Sequence, residues 1–272
     1  MIDLLKAYGA VYRCDIAAFS VMGNHYHLVV RFQDFRELSQ DELMEIALLL
    51  YPNSKEHLLL WRPHQWERFN QRIFDVSEFM RNVQAAFARW YNRTFERRGK
   101  FWADRFKSTL LEDGQAVVDC MLYVDLNPVR AGLVQRPEDH KGSSIHYRQI
   151  KKSRWLLPLQ GLLGHISMPS AIREYRALLY HRGAVPSKVH HMRIPEELLN
   201  AEIARGFKTG GEYLTRLRFF VDGMALGSEA FIKEQLVRLR ESGHYKRRKH
   251  PIKHLEGIHN SMKEQRGHAV VF

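Results

Sequence analysis

Val21-Met22-Gly23-Asn24-His25-Tyr26-His27-Leu28-Val29-Val30 is the stretch on which the fold turns. The apolar run after His25 reads as a β-strand, and strand side chains alternate faces with period two. His25 and His27 are therefore expected side by side on one face. Gly23-Asn24 is a turn dipeptide, so Asp15 to Met22 and His25 to Phe32 read as the two arms of a hairpin. Two imidazoles on one strand face make half of a metal site. A bare His-x-His also suits one hydrogen-bonded and one solvated ring, so the rest of the chain has to decide between these readings.

Composition narrows the class. The chain has 272 residues, 45% hydrophobic and 26% charged, which reads as globular. No run of 18 apolar residues occurs and the first residues carry no signal-peptide pattern, so a cytoplasmic protein without a membrane partner is expected. Cys14 and Cys120 are the only cysteines, which argues against disulfide staples or a cysteine zinc site. The net charge of +12 favours a polyanionic partner, nucleic acid first among them.

Outward from the hairpin, Ile2 to Tyr8 has helical spacing with Gly9 as a stop. Leu43 to Leu50 reads as a helix closed by Pro52-Asn53, and Trp61-Arg62-Pro63 as a break in any further regularity. Asp75 or Ser77 can cap a helix reaching about Thr94. A short strand is expected within Trp102 to Leu111, then a helix from about Ala116 to Leu126 that meets Pro128. Beyond about residue 155 the chain turns helical and basic, with helices at Ser170 to His181 and Glu229 to Arg240. Asp222 to Ser228 reads as a turn leading into a helix.

The helix before Pro128 carries the second constellation. Tyr123 and Asn127 are four residues apart and share a helical face. Tyr123 offers a phenol, and Asn127 a neutral oxygen ligand. Two histidines and one amide oxygen would make an open site for Mg²⁺ or Mn²⁺, with positions left for phosphate oxygens. A packed helix aromatic is the plainer alternative for Tyr123. Tyr91, in Arg89-Trp90-Tyr91-Asn92-Arg93, is a rival phenol.

In order along the chain stand His25-Tyr26-His27, Tyr91-Asn92-Arg93, Gly99-Lys100-Phe101-Trp102-Ala103-Asp104-Arg105-Phe106-Lys107-Ser108, and Leu122-Tyr123-Val124-Asp125-Leu126-Asn127-Pro128-Val129-Arg130-Ala131-Gly132-Leu133-Val134. These segments resemble the HUH single-tyrosine transposases, most closely the REP-associated tyrosine transposases, over roughly Met1 to Tyr147. The resemblance implies cleavage and rejoining of single-stranded DNA through a 5′-phosphotyrosine intermediate. It implies Tyr123 as nucleophile and His25, His27 and Asn127 as ligands of a divalent metal. It also implies an α+β, ferredoxin-like antiparallel sheet with packed helices, the histidines on a central strand and the tyrosine on a facing helix. Measured against that pattern the first strand is missing, residues 33–75 are an insertion, and Gly142 replaces a tryptophan. The expected organisation is a catalytic domain over residues 1–150 and a mostly helical, basic extension over 151–272.

Charge and aromatics interleave between the two constellations. Arg89, Arg93, Arg97, Arg98, Lys100, Arg105 and Lys107 suit DNA phosphates, and Trp102 suits an unpaired base. Trp90 and Phe106 read as core. Arg130 joins the expected DNA contacts, as does the basic run Lys246-Arg247-Arg248-Lys249, which otherwise reads as a solubilising tail. The expected partner is single-stranded or hairpin DNA from palindromic repeats, with nucleoid association. The site can be built within one chain or across a homodimer. Two other readings stand beside the transposase: a DNA-binding protein of the same descent that no longer cleaves, and a metal-dependent phosphodiesterase using water.

Overall fold

The computed structural model describes residues 1–164, 167–185, 192–207, 223–241, 252–254 and 260–263. They form two compact bodies: Met1–Ile16 with Val30–Phe106, and Ala17–Val29 with the described residues from Lys107 onward.

In the first body, α1 (Ile2–Val11) runs through Gly9 instead of stopping there. A Cβ at Gly9 would come 3.2 Å from Ile16 Cδ1, so the glycine marks close packing and not a helix end. Residues 33–75 hold three helices, α2 (Gln40–Leu50), α3 (Lys55–Leu59) and α4 (Pro63–Arg72). Pro63 begins α4, where the expectation was a break. Proline lacks only an N–H that the first helical turn leaves unpaired anyway. Asp75 caps α5 (Val76–Thr94), its carboxylate accepting from the Ser77 and Glu78 N–H groups. Phe79 of α5 is fully buried against Tyr12 and Phe32, with ring centroids 5.5 and 6.0 Å away.

The histidine hairpin is β1 (Cys14–Val21) and β2 (Tyr26–Phe32), a two-stranded sheet. The Met22 N–H donates to the His25 carbonyl at 2.8 Å and closes the Gly23-Asn24 turn. Ile16 to Ser20 are all buried, so the middle of β1 is covered on both faces. Among the described residues, β1's further backbone pairing beyond β2 is one bridge, Ser20 to Ser143.

In the second body, α6 (Gln115–Arg130) is the centre. It passes through Pro128 and ends two residues later. Gly132, at φ +72°, donates its N–H to the Val129 carbonyl and Leu133 donates to that of Pro128, both at 2.9 Å. This is a Schellman close, which satisfies the last carbonyls of the helix. The helices α7 (Ser144–Gln149), α8 (Leu159–Leu163), α9 (Met168–Ala184) and α10 (Glu196–Ala204) follow. Packing continues past residue 150: α9 lies on α6, and a Cβ on Gly183 would come 2.9 Å from Leu126 Cδ2 and 2.6 Å from Ile194 Cδ1.

The C-terminal region is less purely helical than its composition suggests. Besides α11 (Glu229–Glu241) it holds β4 (Gly223–Gly227), β5 (Ile252–His254) and β6 (Asn260–Lys263). With the two-residue β3 (Leu110–Leu111) these form a four-stranded sheet in the order β3-β4-β6-β5. The segment expected to turn before α11 is therefore a strand. Ala225 and Leu226 are buried in it, and Gly227 is pressed so near Glu112 that a Cβ would lie 2.5 Å from that residue's Cβ. The class is α+β, with helices dominant.

Candidate active site

His25 stands just before β2 and His27 on its second residue. Their rings lie 5.0 Å apart, edge to face, as the alternation of a strand requires. His25 Nδ1 lies 2.7 Å from Asn24 Oδ1. With Nδ1 donating its hydrogen to that oxygen, Nε2 is left as the lone-pair nitrogen. Burial, reinforced by the neighbouring His25, pushes the His27 imidazole down to about 4, so this ring is neutral at ordinary pH.

The hairpin is anchored from behind. Val21 donates its N–H to the Gly142 carbonyl at 2.8 Å, and His140 Nε2 lies 3.0 Å from the Val21 carbonyl. Position 142 has no room for a side chain: a Cβ there would lie 2.7 Å from His140 Nε2 and 2.9 Å from the Val21 oxygen.

Tyr123 meets this hairpin from α6, in the same body. Its ring packs edge-on against His27 at 5.8 Å, and the Arg130 guanidinium sits 5.3 Å over its face. Burial pushes the Arg130 guanidinium down to about 10, opposed by Tyr123 and reinforced by Arg182. Arg130, expected as a phosphate contact, is thus engaged with the tyrosine. Asn127 follows one turn on and donates its amide nitrogen to the Tyr123 carbonyl at 3.0 Å. Its oxygen is the end left to act as a ligand.

The chemistry of this set is that of nitrogen and oxygen donors beside a phenol. Two imidazole nitrogens and an amide oxygen fit a divalent cation of intermediate hardness. No group of three or more His, Cys, Asp or Glu side chains gathers among the described residues, so a metal here would rest on histidine and amide together. Thiol chemistry is disfavoured: burial pushes both Cys14 and Cys120 up to about 12.

The rival phenol has other company. Tyr91 lies among Phe87, Trp90, Phe95 and Phe101, with Arg97 over its ring at 5.7 Å. It is the Tyr123 ring that touches His27.

The expected DNA-contact residues divide. Arg93, Arg97, Arg98, Lys100 and Arg105 are exposed in the first body, and Lys107 is exposed in the second. Trp102 is half-buried and its indole N–H is held at 2.9 Å by the Gln84 carbonyl, so its edge is spent on the fold. Trp90, read as core, is 44% exposed, because only the first half of α5 has a core to cover. Phe106 is half-buried. Lys246, Arg247, Arg248 and Lys249 lie outside the described residues.

Sequence reasoning missed the network behind the tyrosine helix. Asp125, fully buried on α6, accepts from Ser144 Oγ at 2.7 Å, the Ile145 N–H at 3.1 Å and Tyr175 Oη at 2.8 Å. Arg148, 1% exposed, donates to the carbonyls of Ala17 on β1 and Leu157. Arg182 of α9 pairs with Asp119 of α6 at 2.7 Å. The signal was there in two acids, Asp119 and Asp125, inside an apolar helix, since buried carboxylates need partners.

Compared with family models, curated proteins and solved structures, the chain matches none. No helix among the described residues is long and apolar enough to cross a membrane.

Proposed function

We propose that this chain is a single-stranded DNA transposase of the HUH single-tyrosine kind, in which Tyr123 cleaves and rejoins DNA. One observation carries this reading: the Tyr123 ring lies 5.8 Å from His27, with Asn127 one turn further along the same helix. On this reading β1 and β2 belong to a ferredoxin-like sheet, and the partner is single-stranded or hairpin DNA.

Tyr123 Oη would form a bond to the scissile phosphorus while the bond to the 3′ oxygen breaks. The phenol gives up its proton and the leaving 3′ oxygen gains one. One phosphodiester replaces another, so the step is reversible and needs no nucleotide triphosphate. The guanidinium of Arg130 favours negative charge developing at the phenol and the phosphate beside it. His25, His27 and Asn127 would hold Mg²⁺ or Mn²⁺. When bound, the ion supplies a Lewis acid at the phosphate oxygens. Asn24 orients His25, and burial keeps His27 unprotonated for that purpose.

The test incubates the protein with labelled hairpin DNA and Mg²⁺ or Mn²⁺ and resolves the products on a denaturing gel. A covalent adduct that disappears in Tyr123→Phe, and falls at least ~100-fold in His27→Ala, is the expected result. Binding without an adduct would identify a DNA-binding relative that no longer cleaves. Cleavage that survives Tyr123→Phe would identify a phosphodiesterase using water.

A further inference from the structure

The end of α5 carries an aromatic cluster that the transesterification does not use. Phe87 and Tyr91 form its hub. Phe87 lies 5.3 Å from Phe101 and 5.7 Å from Trp102, while Tyr91 lies 4.4 Å from Phe95 and 4.7 Å from Phe101. Trp90 and Phe95 are its outer rings, 44% and 54% exposed, with centroids 6.3 Å apart. Trp90 is braced from beneath by Phe87 at 5.4 Å. Two large rings are thus presented to solvent on a packed base, with little freedom left to lose on binding.

The surroundings of these rings are cationic. Residues 89–100 contain Arg89, Arg93, Arg97, Arg98 and Lys100 against Glu96 alone. All five cations are exposed. Among the described residues none of them pairs with a carboxylate, whereas Arg72 and Arg81, earlier in the same body, both do. An apolar surface meant for a protein core would not be ringed by unpaired cations. A surface for an unpaired strand needs both parts, cations along the backbone and rings for the bases.

We propose that Trp90 and Phe95 form a stacking platform for successive unpaired bases of a single-stranded nucleic acid, with Arg89, Arg93, Arg97 and Arg98 on its phosphates. The proposal rests on the nucleic-acid reading above and deepens it, replacing Trp102 by Trp90 and Phe95 as the base-contacting rings.

The experiment measures binding of the full chain to a fluorescent oligo(dT) as a function of salt. Trp90→Ala and Phe95→Ala are each expected to weaken binding about ten-fold, without changing the slope of log K against log salt, because no cation is removed. Trp90→Phe should restore most of the loss. Arg97→Ala with Arg98→Ala should instead make the slope shallower by about 0.7 per lost contact. Photo-crosslinking of an oligonucleotide carrying 5-iododeoxyuridine should label the peptide holding Trp90 or Phe95, a readout that needs no variant. Wild-type affinity in the Trp90→Ala, Phe95→Ala double variant with crosslinks elsewhere would overturn the proposal. So would equal losses on duplex DNA, or dependence on these rings only for anionic lipid vesicles. A wild-type chain whose oligo(dT) binding depends on Trp90 and Phe95 but which forms no covalent adduct on hairpin DNA with Mg²⁺ or Mn²⁺ would sink the transposase reading and leave this one standing.

Discussion

Asp125 shows how much a single buried residue on the tyrosine helix can govern. Burial pushes its carboxyl up to about 6, while hydrogen bonds from Ser144, Tyr175 and Ile145 pull the other way. The folded state therefore binds this proton more tightly than the unfolded chain, where an aspartate titrates near 3.9. Its contribution is fully present below about pH 4 and is lost as pH rises through about 6. Thermal melts between pH 4 and pH 8 should show this loss, about 3 kcal/mol for a shift of two units, and Asp125→Asn should abolish it. An identical pH profile in the variant would show that the carboxyl does not titrate in this range. Asp125→Ala should be far worse, by about 3–5 kcal/mol, because Tyr175, Ser144 and the Ile145 N–H lose their acceptor and Arg148 is left uncompensated.

At the scale of the element, α6 and the hairpin were legible because their signals are local. Alternation set His25 beside His27, and a spacing of four set Tyr123 over Asn127. The ends of α6 and α1 were not legible, because Pro128 and Gly9 have meanings that only their surroundings decide. Pro128 sits where the helix is already closing, and Gly9 sits under Ile16. Gly183 is another such case: its lack of a Cβ lets α9 approach Leu126 of α6. Gly183→Ala should cost about 1–3 kcal/mol by overpacking and lower adduct formation by displacing α6, measurable as a lower Tm with a normal salt slope. Glu96 is the opposite case. It holds φ +50° just past α5, where Arg97 donates its N–H to the Asn92 carbonyl, a position glycine fills without strain. Glu96→Gly should raise stability by about 0.5–1 kcal/mol and also tighten oligonucleotide binding, since the acid among five cations is gone.

At the scale of the whole molecule the net charge of +12 sets the expectation for binding. Affinity for any single strand should fall steeply with salt, with a slope of about 0.7 per phosphate contact, whatever the base sequence. A slope near zero would mean that the basic character serves something other than nucleic acid. The strand set was the least readable part of the chain. β3 and β4 pair across more than a hundred residues, and β4 has an apolar, glycine-flanked pattern that a turn shares. Trp90 was misread for a related reason: its neighbours in sequence are those of a core helix, and only the extent of the packed core shows that α5 outruns it.

Gly142 has a consequence for how this protein can vary. The Val21 oxygen and His140 crowd it so closely that position 142 admits no side chain unless the start of the hairpin turn moves. A substitution there would leave every residue of the histidine and tyrosine set chemically intact and still tilt the rings of His25 and His27. On the proposed cleavage reading, a selection for loss of that activity should return position 142 as often as the histidines themselves, although it lies far from them in sequence and has no chemistry of its own.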